Sequence, residues 1–385
     1  MTGELRRIVY ISGTRADFGL MALSLKALEA DPKLQIEVLA TGQHLDPAYG
    51  DTLADIRASG LDVTPLDPIS LAGESGAEMA DALSAQMRQL TAMLQERRPD
   101  LVLLLGDRGE MVAAGLAAVF LGLPVAHFHG GERSGTVDDQ LRQAITALAH
   151  FHFPPTPGAR DRLLRMGERP ERISLMGAPG IDEIRGFSAD PTLRARMGIA
   201  TDEPLTTVLF HPVVQDATQA GDQAGLLIET LLRVRAGRLV VLAPNSDAGS
   251  AGIGQSYRAV RDRLAGSAEA DRFIWLTHLP RADYLSLVAT SDLLIGNSSS
   301  GVIEAASLQT PAVNLGDRQT ARERNDSTFD CTITAEGITA AIASAEAYRG
   351  GFENVYDQGG CANRIAATIR ALPLSPDILK KSFAY

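Results

Sequence analysis

Short runs of apolar residues alternate with longer amphipathic segments along almost the whole chain. In the first half, buried strands are predicted at residues 6–12, 35–40, 101–105 and 125–129. Apolar residues recur at helical spacing between them, which predicts helices at residues 17–30, 74–97 and 108–121. Strands that alternate with helices in this way predict βαβ units, in which helices cover both faces of a parallel sheet.

The alternation pauses after Pro179 and restarts near Leu205. The intervening segment is polar and holds two prolines, Pro191 and Pro204, as is typical of a domain boundary. Further strands are predicted at 206–210, 239–242, 272–276, 293–295 and 312–314, and further helices at 223–234, 255–264, 281–289, 301–308, 361–372 and 375–384.

A chain of 385 residues is too long for one ordinary core. We therefore predict an α/β protein with two Rossmann-like, doubly wound domains, residues 1–185 and 186–365. The carboxyl ends of the strands are expected to point into a central cleft between the domains. Residues 366–385 are predicted to form a C-terminal helix that braces the two domains.

The formal net charge of −11 argues against two classes of partner, because an acidic surface repels nucleic acid and anionic membranes. The N-terminal segment enters a strand directly, and no apolar run is long enough to cross a bilayer. Cys331 and Cys361 lie far from any CxxC spacing, as expected for reduced thiols. These features predict a cytoplasmic protein that binds neither nucleic acid nor membrane.

Polar residues follow the predicted strands of the first domain, where open sheets bind their ligands. The segment GTRADFG, residues 13–19, is a strand-to-helix turn that can hold a phosphate, with Arg15 as a bidentate donor. Alternatively, Arg15 pairs with Asp17 in a tight turn. The segment lacks the glycine spacing of a dinucleotide or P-loop motif, so no such cofactor is predicted. Asp107, at another strand end, either contacts the ligand or caps the following helix.

The densest group of ionisable residues begins at the run HFHGGE, residues 127–132. Strand alternation predicts that His127 and His129 lie on the same face. Together with Glu132 and Asp138 they are suited to moving protons near neutral pH. Asp138 instead acts as a helix cap in the simpler interpretation.

An HxH pair beside carboxylates is also compatible with a metal site. No further histidine follows at ligand spacing in the adjoining helix, so no metal is predicted. His150 and His152 repeat the pattern in a more aromatic context, which favours buried structural histidines.

Strand ends of the second domain carry groups suited to a diphosphate. Hydroxyls and free N–H groups at a helix N-terminus bind anions. Glu304 in that first turn either contacts ribose hydroxyls or forms a capping box with a serine. The strand-end residues are His211, then Asn297, Ser298, Ser299, Gly301 and Glu304 in GNSSSGVIE, then Arg318, Arg322 and Arg324.

Taken in order, these segments resemble the UDP-N-acetylglucosamine 2-epimerase family over essentially the whole chain. The matching motifs are GTRADFG, TGQHL, GDR, HGGE with SGTVDD and RQAIT, GAPGID, HP, GNSSSGVIE and NLGDRQTARER. The SGTVDD segment is most similar to the hydrolysing branch, which feeds the biosynthesis of sialic-acid-type sugars. The resemblance implies the GT-B fold, with the active site in the cleft and a homodimer or homotetramer.

For the reaction, the resemblance implies loss of the C2 proton with departure of UDP from C1, followed by addition of water to the 2-acetamidoglucal. The products are N-acetylmannosamine and UDP when the substrate is UDP-N-acetylglucosamine, and no cofactor is required. The residues that correspond to catalytic positions are Asp107, His129, Glu132, Asp138 and Arg142. Those that correspond to UDP-sugar contacts are Arg15, Asp17, His44, His211, Asn297, Ser298, Ser299, Gly301, Glu304 and Arg318.

One residue departs from the family pattern. A catalytic glutamate stands at the position of His129 in related sequences, so His129 takes over its proton transfer, or Glu132 does, or the substrate differs. The alternative substrate is UDP-2,4-diacetamido-2,4,6-trideoxyglucose, of the legionaminic acid pathway. Leu20, where non-hydrolysing members carry lysine, favours hydrolysis. The competing functions are a non-hydrolysing epimerase, a GT-B glycosyltransferase and a non-catalytic nucleotide-sugar binding protein.

Overall fold

A computed structural model describes residues 5–47, 50–69, 75–245, 247–267, 269–277 and 279–384. The first half of the chain forms a six-stranded parallel sheet in the order β3-β2-β1-β4-β5-β6. Its strands are β1 (Arg6–Ser12), β2 (Leu34–Ala40), β3 (Asp62–Pro65), β4 (Leu101–Leu105), β5 (Val125–Phe128) and β6 (Phe151–Phe153). The helices between them are α1 (Arg15–Glu29), α2 (Thr52–Ala58), α3 (Gly76–Arg97), α4 (Gly109–Phe120), α5 (Val137–Leu148) and α6 (Pro157–Arg165).

The second half forms another six-stranded parallel sheet, in the order β12-β11-β10-β7-β8-β9. Two short helices, α7 (Ile181–Ile184) and α8 (Leu193–Arg196), lead into it. Its strands are β7 (Leu205–Leu209), β8 (Arg238–Leu242), β9 (Phe273–Leu276), β10 (Leu293–Gly296), β11 (Ala312–Leu315) and β12 (Thr328–Cys331). The remaining helices are α9 (Ala220–Val234), α10 (Ser250–Leu264), α11 (Arg281–Ala289), α12 (Ser299–Ile303), α13 (Ala335–Ala347) and α14 (Cys361–Ala371).

This architecture confirms the predicted α/β class with two doubly wound sheets. Strand order reverses beside β1 and β4 in the first sheet, and beside β7 and β10 in the second. Loops diverge at such switch points, which opens a crevice at the carboxyl ends of the strands. The motifs predicted to bind ligand follow these strands, so the topology brings them to the crevices.

Two predicted helices are wrong, and the strands predicted at 125–129 and 272–276 are each one residue too long. The helix expected at 301–308 ends at Ile303, and residues 304–309 form turns. The helix expected at 375–384 is only a short 3-10 turn, Pro376–Leu379. The strand expected at 125–129 stops at Phe128. Glu74, the predicted start of α3, lies outside the described residues.

The last long helix, α14, returns to the first half of the chain. Its buried residues Cys361, Ile365 and Ile369 join the same core as Phe18 and Met21 of α1. Burial of this apolar face stabilises the packed position of the helix, by roughly 25 cal/mol for each Å² of apolar surface removed from water. Helix α14 confirms the helix predicted at 361–372 and packs on α1. Residues 366–385 do not form one C-terminal helix, because α14 ends at Ala371. The domain divisions at 185 and 365 stay predictions.

None of the helices in the described part of the chain combines the length and apolar character needed to span a bilayer.

Candidate active site

A cavity of about 470 Å³ lies between the two sheets and has the size of a typical ligand pocket. The first half contributes Arg15, Gln43 and Thr52 to its wall. The second half contributes strand ends and helix starts, including His211, Asn245, Arg258, Arg281, Tyr284, Ser298, Ser299, Ser300 and Glu304. Five predicted substrate contacts therefore line one cavity: Arg15, His211, Ser298, Ser299 and Glu304.

His211 is fixed at the cavity by its neighbours. The side chain of Asn297 accepts a hydrogen bond from the His211 backbone nitrogen at 2.7 Å and donates one to its carbonyl oxygen at 2.8 Å. The ring Nδ1 accepts from the backbone nitrogen of Asn245 at 3.1 Å. Burial, with the positive charges of Arg318 and Arg108, lowers the pKa of His211 well below its ordinary value. His211 therefore faces a ligand as a neutral ring, while Asn297 holds its loop from outside the cavity wall.

Glu304 lies in the cavity wall with its charge neutralised. It is 4% exposed and forms an ion pair with Arg281, whose Nε also donates to Glu183 at 2.9 Å. A guanidinium beside the carboxylate removes the conflict between Glu304 and an anionic ligand. Sequence reasoning missed Arg281, because only the packing of α11 against α12 brings the two residues together. Gly301 lies within α12 and does not line this cavity.

Asp17 and His44 support the loop after β1 rather than the cavity wall. Asp17 accepts hydrogen bonds from the backbone nitrogens of Gly13 and Thr14 at 3.0 and 2.7 Å, and it completes the capping box of α1. His44 bonds Ser12 Oγ through Nε2 at 2.9 Å. Both side chains are buried. They hold the turn that carries Arg15.

A second group of ionisable residues adjoins the cleft, at the ends of β4 and β5 and on α5. Asp107 forms an ion pair with Arg142, and Asp138 faces Arg318 across the cleft at 3.9 Å. Burial pushes the pKa of Asp107 upward, but the guanidinium groups of Arg142, Arg322 and Arg318 outweigh it and hold the pKa below its ordinary value. Burial and the charge of Asp107 raise the pKa of Asp138. The pKa values of the two neighbouring carboxyls are thus shifted in opposite directions.

The two aspartates at the start of α5 have different partners. Asp139 caps the preceding loop, where it accepts hydrogen bonds from the backbone nitrogens of Ser134 and Gly135 at 2.5 and 2.9 Å. The side chain of Asp138 instead meets Arg318. The N-cap of α5 is Thr136, whose side chain accepts from the backbone nitrogen of Asp138, so the helix-cap interpretation of Asp138 is wrong and its carboxylate is available for chemistry.

His129 has an unusual backbone conformation for a residue with a side chain. Its φ of 64° is left-handed, so β5 ends at Phe128 and strand alternation no longer applies to His129. Such strain persists where the surroundings impose it, and functional sites are common cases. The ring Nδ1 lies 2.8 Å from Glu132 Oε2, which fixes the ring. Its Nε2 is buried and has no hydrogen-bond partner among the described residues.

Glu132 is locked in its ionised form. Its carboxylate meets Arg322 of the second half at 2.5 Å, Arg142 at 3.4 Å and His129. Burial alone would raise the pKa of Glu132, but Arg322, His129 and Arg142 lower it far below its ordinary value. Both oxygens of this buried carboxylate are occupied, by Arg322, Arg142 and His129, so Glu132 serves the site by orienting His129.

The other histidines of the first half are structural. His127 is fully buried, with Nε2 2.7 Å from the carbonyl oxygen of Gly106, and burial lowers its pKa to about 3. His150 accepts from the backbone nitrogen of Val125, and His152 pairs with Glu168 at 3.0 Å. Among the described residues, no three or more His, Cys, Asp or Glu side chains are grouped as metal ligands would be.

Several contacts close the cleft from the side of the second sheet. Arg108 faces Asp247 at 3.5 Å, and the backbone nitrogen of Ala321 donates to the carbonyl oxygen of Ser134 at 3.4 Å. Arg318 donates to the carbonyl oxygen of Asn297 at 3.1 Å. Arg318 thus joins the loop beside the cavity to the carboxylate pair.

The chain was compared with known proteins. The family model described as UDP-N-acetylglucosamine 2-epimerase matches residues 26–370. UDP-N,N'-diacetylbacillosamine 2-epimerase (hydrolyzing) of Legionella pneumophila is 38% identical over 384 residues, which cover 99% of this chain and 100% of that protein. GDP/UDP-N,N'-diacetylbacillosamine 2-epimerase (hydrolyzing) of Campylobacter jejuni is 28% identical over 331 residues, or 85% of each chain.

Among solved structures, UDP-GlcNAc 2-epimerase of Neisseria meningitidis bound to UDP-GlcNAc superposes with a TM-score of 0.76 at 19% identity. The match covers 94% of this chain and 99% of that one. This likeness confirms the GT-B fold. The family model and the full-length relative together confirm the resemblance found in the motifs: the chain belongs to the UDP-N-acetylglucosamine 2-epimerase family.

Proposed function

We propose that the protein is a hydrolysing 2-epimerase of UDP-2,4-diacetamido-2,4,6-trideoxyglucose, the sugar nucleotide also called UDP-N,N'-diacetylbacillosamine. The names of the Legionella and Campylobacter relatives support this substrate, at 38% and 28% identity. UDP-N-acetylglucosamine, the first substrate implied by the motifs, becomes the second candidate. The products are UDP and the free 2-epimer.

The observation that carries the proposal is that two neighbouring carboxyls have pKa values shifted in opposite directions. The pKa of Asp107 lies below its ordinary value because of three arginines, whereas burial and Asp107 raise that of Asp138. Paired groups whose pKa values are pushed apart are the pattern of an acid and a base in one site. Epimerisation at C2 needs both, since a proton leaves one face of the sugar and another arrives on the opposite face.

In the first half-reaction, Asp107 accepts the proton from C2. The electron pair of the C2–H bond forms the C1=C2 double bond, and the C1–O bond to UDP breaks with its electrons on the diphosphate. Arg15, Ser298 and Ser299 in the cavity wall are suited to hold that diphosphate. The result is the 2-acetamidoglucal beside bound UDP.

In the second half-reaction, water adds across the double bond. Asp138 donates its proton to C2 from the other face, and the water oxygen bonds to C1. We assign removal of the water proton to His129, because its unpartnered Nε2 and its Nδ1 contact with Glu132 form an oriented histidine–carboxylate pair. This assignment gives a role to the residue that departs from the family pattern.

Substrate choice is tested by the release of UDP. We expect kcat/KM for UDP-2,4-diacetamido-2,4,6-trideoxyglucose to exceed that for UDP-N-acetylglucosamine by at least about 10-fold, since one missing polar contact discriminates at least this strongly. A preference for UDP-N-acetylglucosamine would overturn the proposed substrate. If neither sugar nucleotide released UDP, the proposed function itself would be overturned.

The two carboxyls also predict how activity depends on pH. As pH falls through the lowered pKa of Asp107, the base gains a proton; as pH rises through the raised pKa of Asp138, the acid loses one. A bell-shaped profile of kcat/KM is therefore expected, and its two apparent pKa values belong to the coupled pair. The residual activity of Asp138→Asn should lack the alkaline limb, whereas Asp139→Asn should keep the whole bell. An unchanged alkaline limb in Asp138→Asn would contradict the assignment.

A further inference from the structure

The C-terminal residues 380–384 lie against the first sheet's helices instead of forming a helix of their own. The backbone nitrogen of Ala384 donates to the carbonyl oxygen of Gly167 at 2.7 Å, and Arg169 donates to Ser382 Oγ at 3.0 Å. Chain termini are seldom ordered unless contacts tie them down. These contacts tie this one to the loop after α6.

Lys381 reaches from this segment into the protein. Its side chain is only 12% exposed, and Nζ donates to the carbonyl oxygens of Thr146 and Ala149 at 2.8 and 2.7 Å and to Glu168 Oε1 at 2.5 Å. All three ammonium protons are therefore used. Thr146 and Ala149 lie at the C-terminal end of α5, where helix carbonyls lack intrahelical partners and a cation is favoured by the helix dipole.

Helix α5, whose C-terminal end Lys381 contacts, also carries residues of the proposed catalytic site. Asp138 lies in the first turn of α5, Arg142 one turn later, and Thr146 in the last turn, about 12 Å from Asp138 along the axis at 1.5 Å per residue. A rigid helix transmits a shift of its C-terminal end to both side chains.

The C-terminal end of α5 is also linked, through His127, to the backbone of the residue before Asp107. Thr146 Oγ1 lies 3.3 Å from His127 Nδ1, and His127 Nε2 lies 2.7 Å from the carbonyl oxygen of Gly106, the residue before Asp107. Lys381 also contacts Glu168, and Glu168 pairs with His152 of β6 at 3.0 Å. The ammonium group thus joins α5 to the strand next to β5.

We propose that Lys381 is a positioning residue for the acid and base of the reaction: it fixes the C-terminal end of α5 and thereby the placement of Asp138, Arg142 and Asp107. The kinetic part of this inference rests on the proposed function.

The test compares Lys381→Met with Lys380→Met, since Lys380 is 83% exposed and pairs with Asp377 on the surface. For Lys381→Met we expect kcat to fall about 10-fold or more, because misplacement of catalytic groups by about 1 Å costs on the order of 10²-fold. KM and the Kd for UDP should stay within about two-fold, since the nucleotide cavity is untouched. Lys380→Met should match the wild type.

A double variant guards against misfolding. Lys381→Met leaves Glu168 buried without its cation, whereas Lys381→Met with Glu168→Gln removes both charges. Both variants should show faster hydrogen exchange of the amides in residues 138–148 than Lys380→Met. A variant that melts earlier but keeps the wild-type kcat and the wild-type exchange of α5 would overturn the proposal. If the wild type itself released no UDP, the proposed function would fail, and the exchange data would still decide the contact between Lys381 and α5.

Discussion

Asp107→Asn is expected to abolish turnover while UDP still binds. The substitution keeps the shape of the side chain but removes the carboxylate that accepts the C2 proton, and loss of such a group costs about 10²- to 10⁴-fold. Asp107 does not line the nucleotide cavity. We therefore expect the Kd for UDP to change by no more than about three-fold, the size of a minor, indirect effect on binding.

Binding of UDP is measurable in the same protein through its single tryptophan. The guanidinium of Arg258 lies 6.0 Å from the ring centre of Trp275, and Arg258 also lines the cavity. A ligand that draws Arg258 away should change the fluorescence of Trp275. Asp139→Asn is the matched control, because that carboxylate caps a loop. Wild-type turnover by Asp107→Asn, or loss of its UDP binding at an unchanged melting temperature, would reduce Asp107 to a structural role.

His129→Gln is expected to slow the second half-reaction, addition of water, while the first half-reaction, loss of UDP, continues. Loss of C2–H and departure of UDP depend on Asp107, so UDP should still form. Addition of water should slow by about 10²-fold or more when its base is missing. The 2-acetamidoglucal should then leave the enzyme, and mass spectrometry detects it as a product one water lighter than the free sugar.

His129→Glu tests the same assignment from the other side. The motif resemblance implies a catalytic glutamate at this position, so this variant should recover a substantial part of the hydration that His129→Gln loses. Full conversion to the free 2-epimer by His129→Gln, without glycal, would show that another group activates the water. In that event Glu132 would again have to be considered, despite the arginines that keep it ionised.

The sequence predicted nine of the twelve strands in the described part of the chain, because buried parallel strands are continuous apolar runs. It missed β3, β6 and β12, which lie at the edges of their sheets. The helix predicted at 301–308 is wrong because buried residues recur at helical spacing in a segment that forms turns. Val302, Ala305, Ala306 and Leu308 are all buried, yet the residues after Ile303 fold as turns, with Gln309 at a left-handed φ of 59°. Such a pattern records which residues face the core and does not identify the backbone that places them there.

The helix predicted at 375–384 is wrong for a different reason. Its conformation is set by Lys381, whose three acceptors lie on α5 and in the loop after α6. Local spacing contains no information on such tertiary contacts, and they override helix propensity. The chain therefore follows the surface of the first sheet's helices instead of continuing as a helix.

For the site, the sequence located the reactive groups but not their protonation. Asp107, Asp138 and His129 were recognisable from strand ends and motifs. The lowered pKa of Asp107 comes from Arg142 together with Arg322 and Arg318, two residues that the fold brings from the other sheet, whereas burial and the charge of Asp107 raise the pKa of Asp138. The lowered pKa of Asp107 thus depends in part on contacts across the cleft.

The most direct test of the whole account is proton NMR of the reaction in heavy water with UDP-2,4-diacetamido-2,4,6-trideoxyglucose. Elimination followed by hydration predicts release of UDP together with a free 2-epimer that carries deuterium at C2. A deuterated sugar still attached to UDP would contradict hydrolysis and identify a non-hydrolysing epimerase. A free sugar that keeps its proton at C2 would contradict elimination itself.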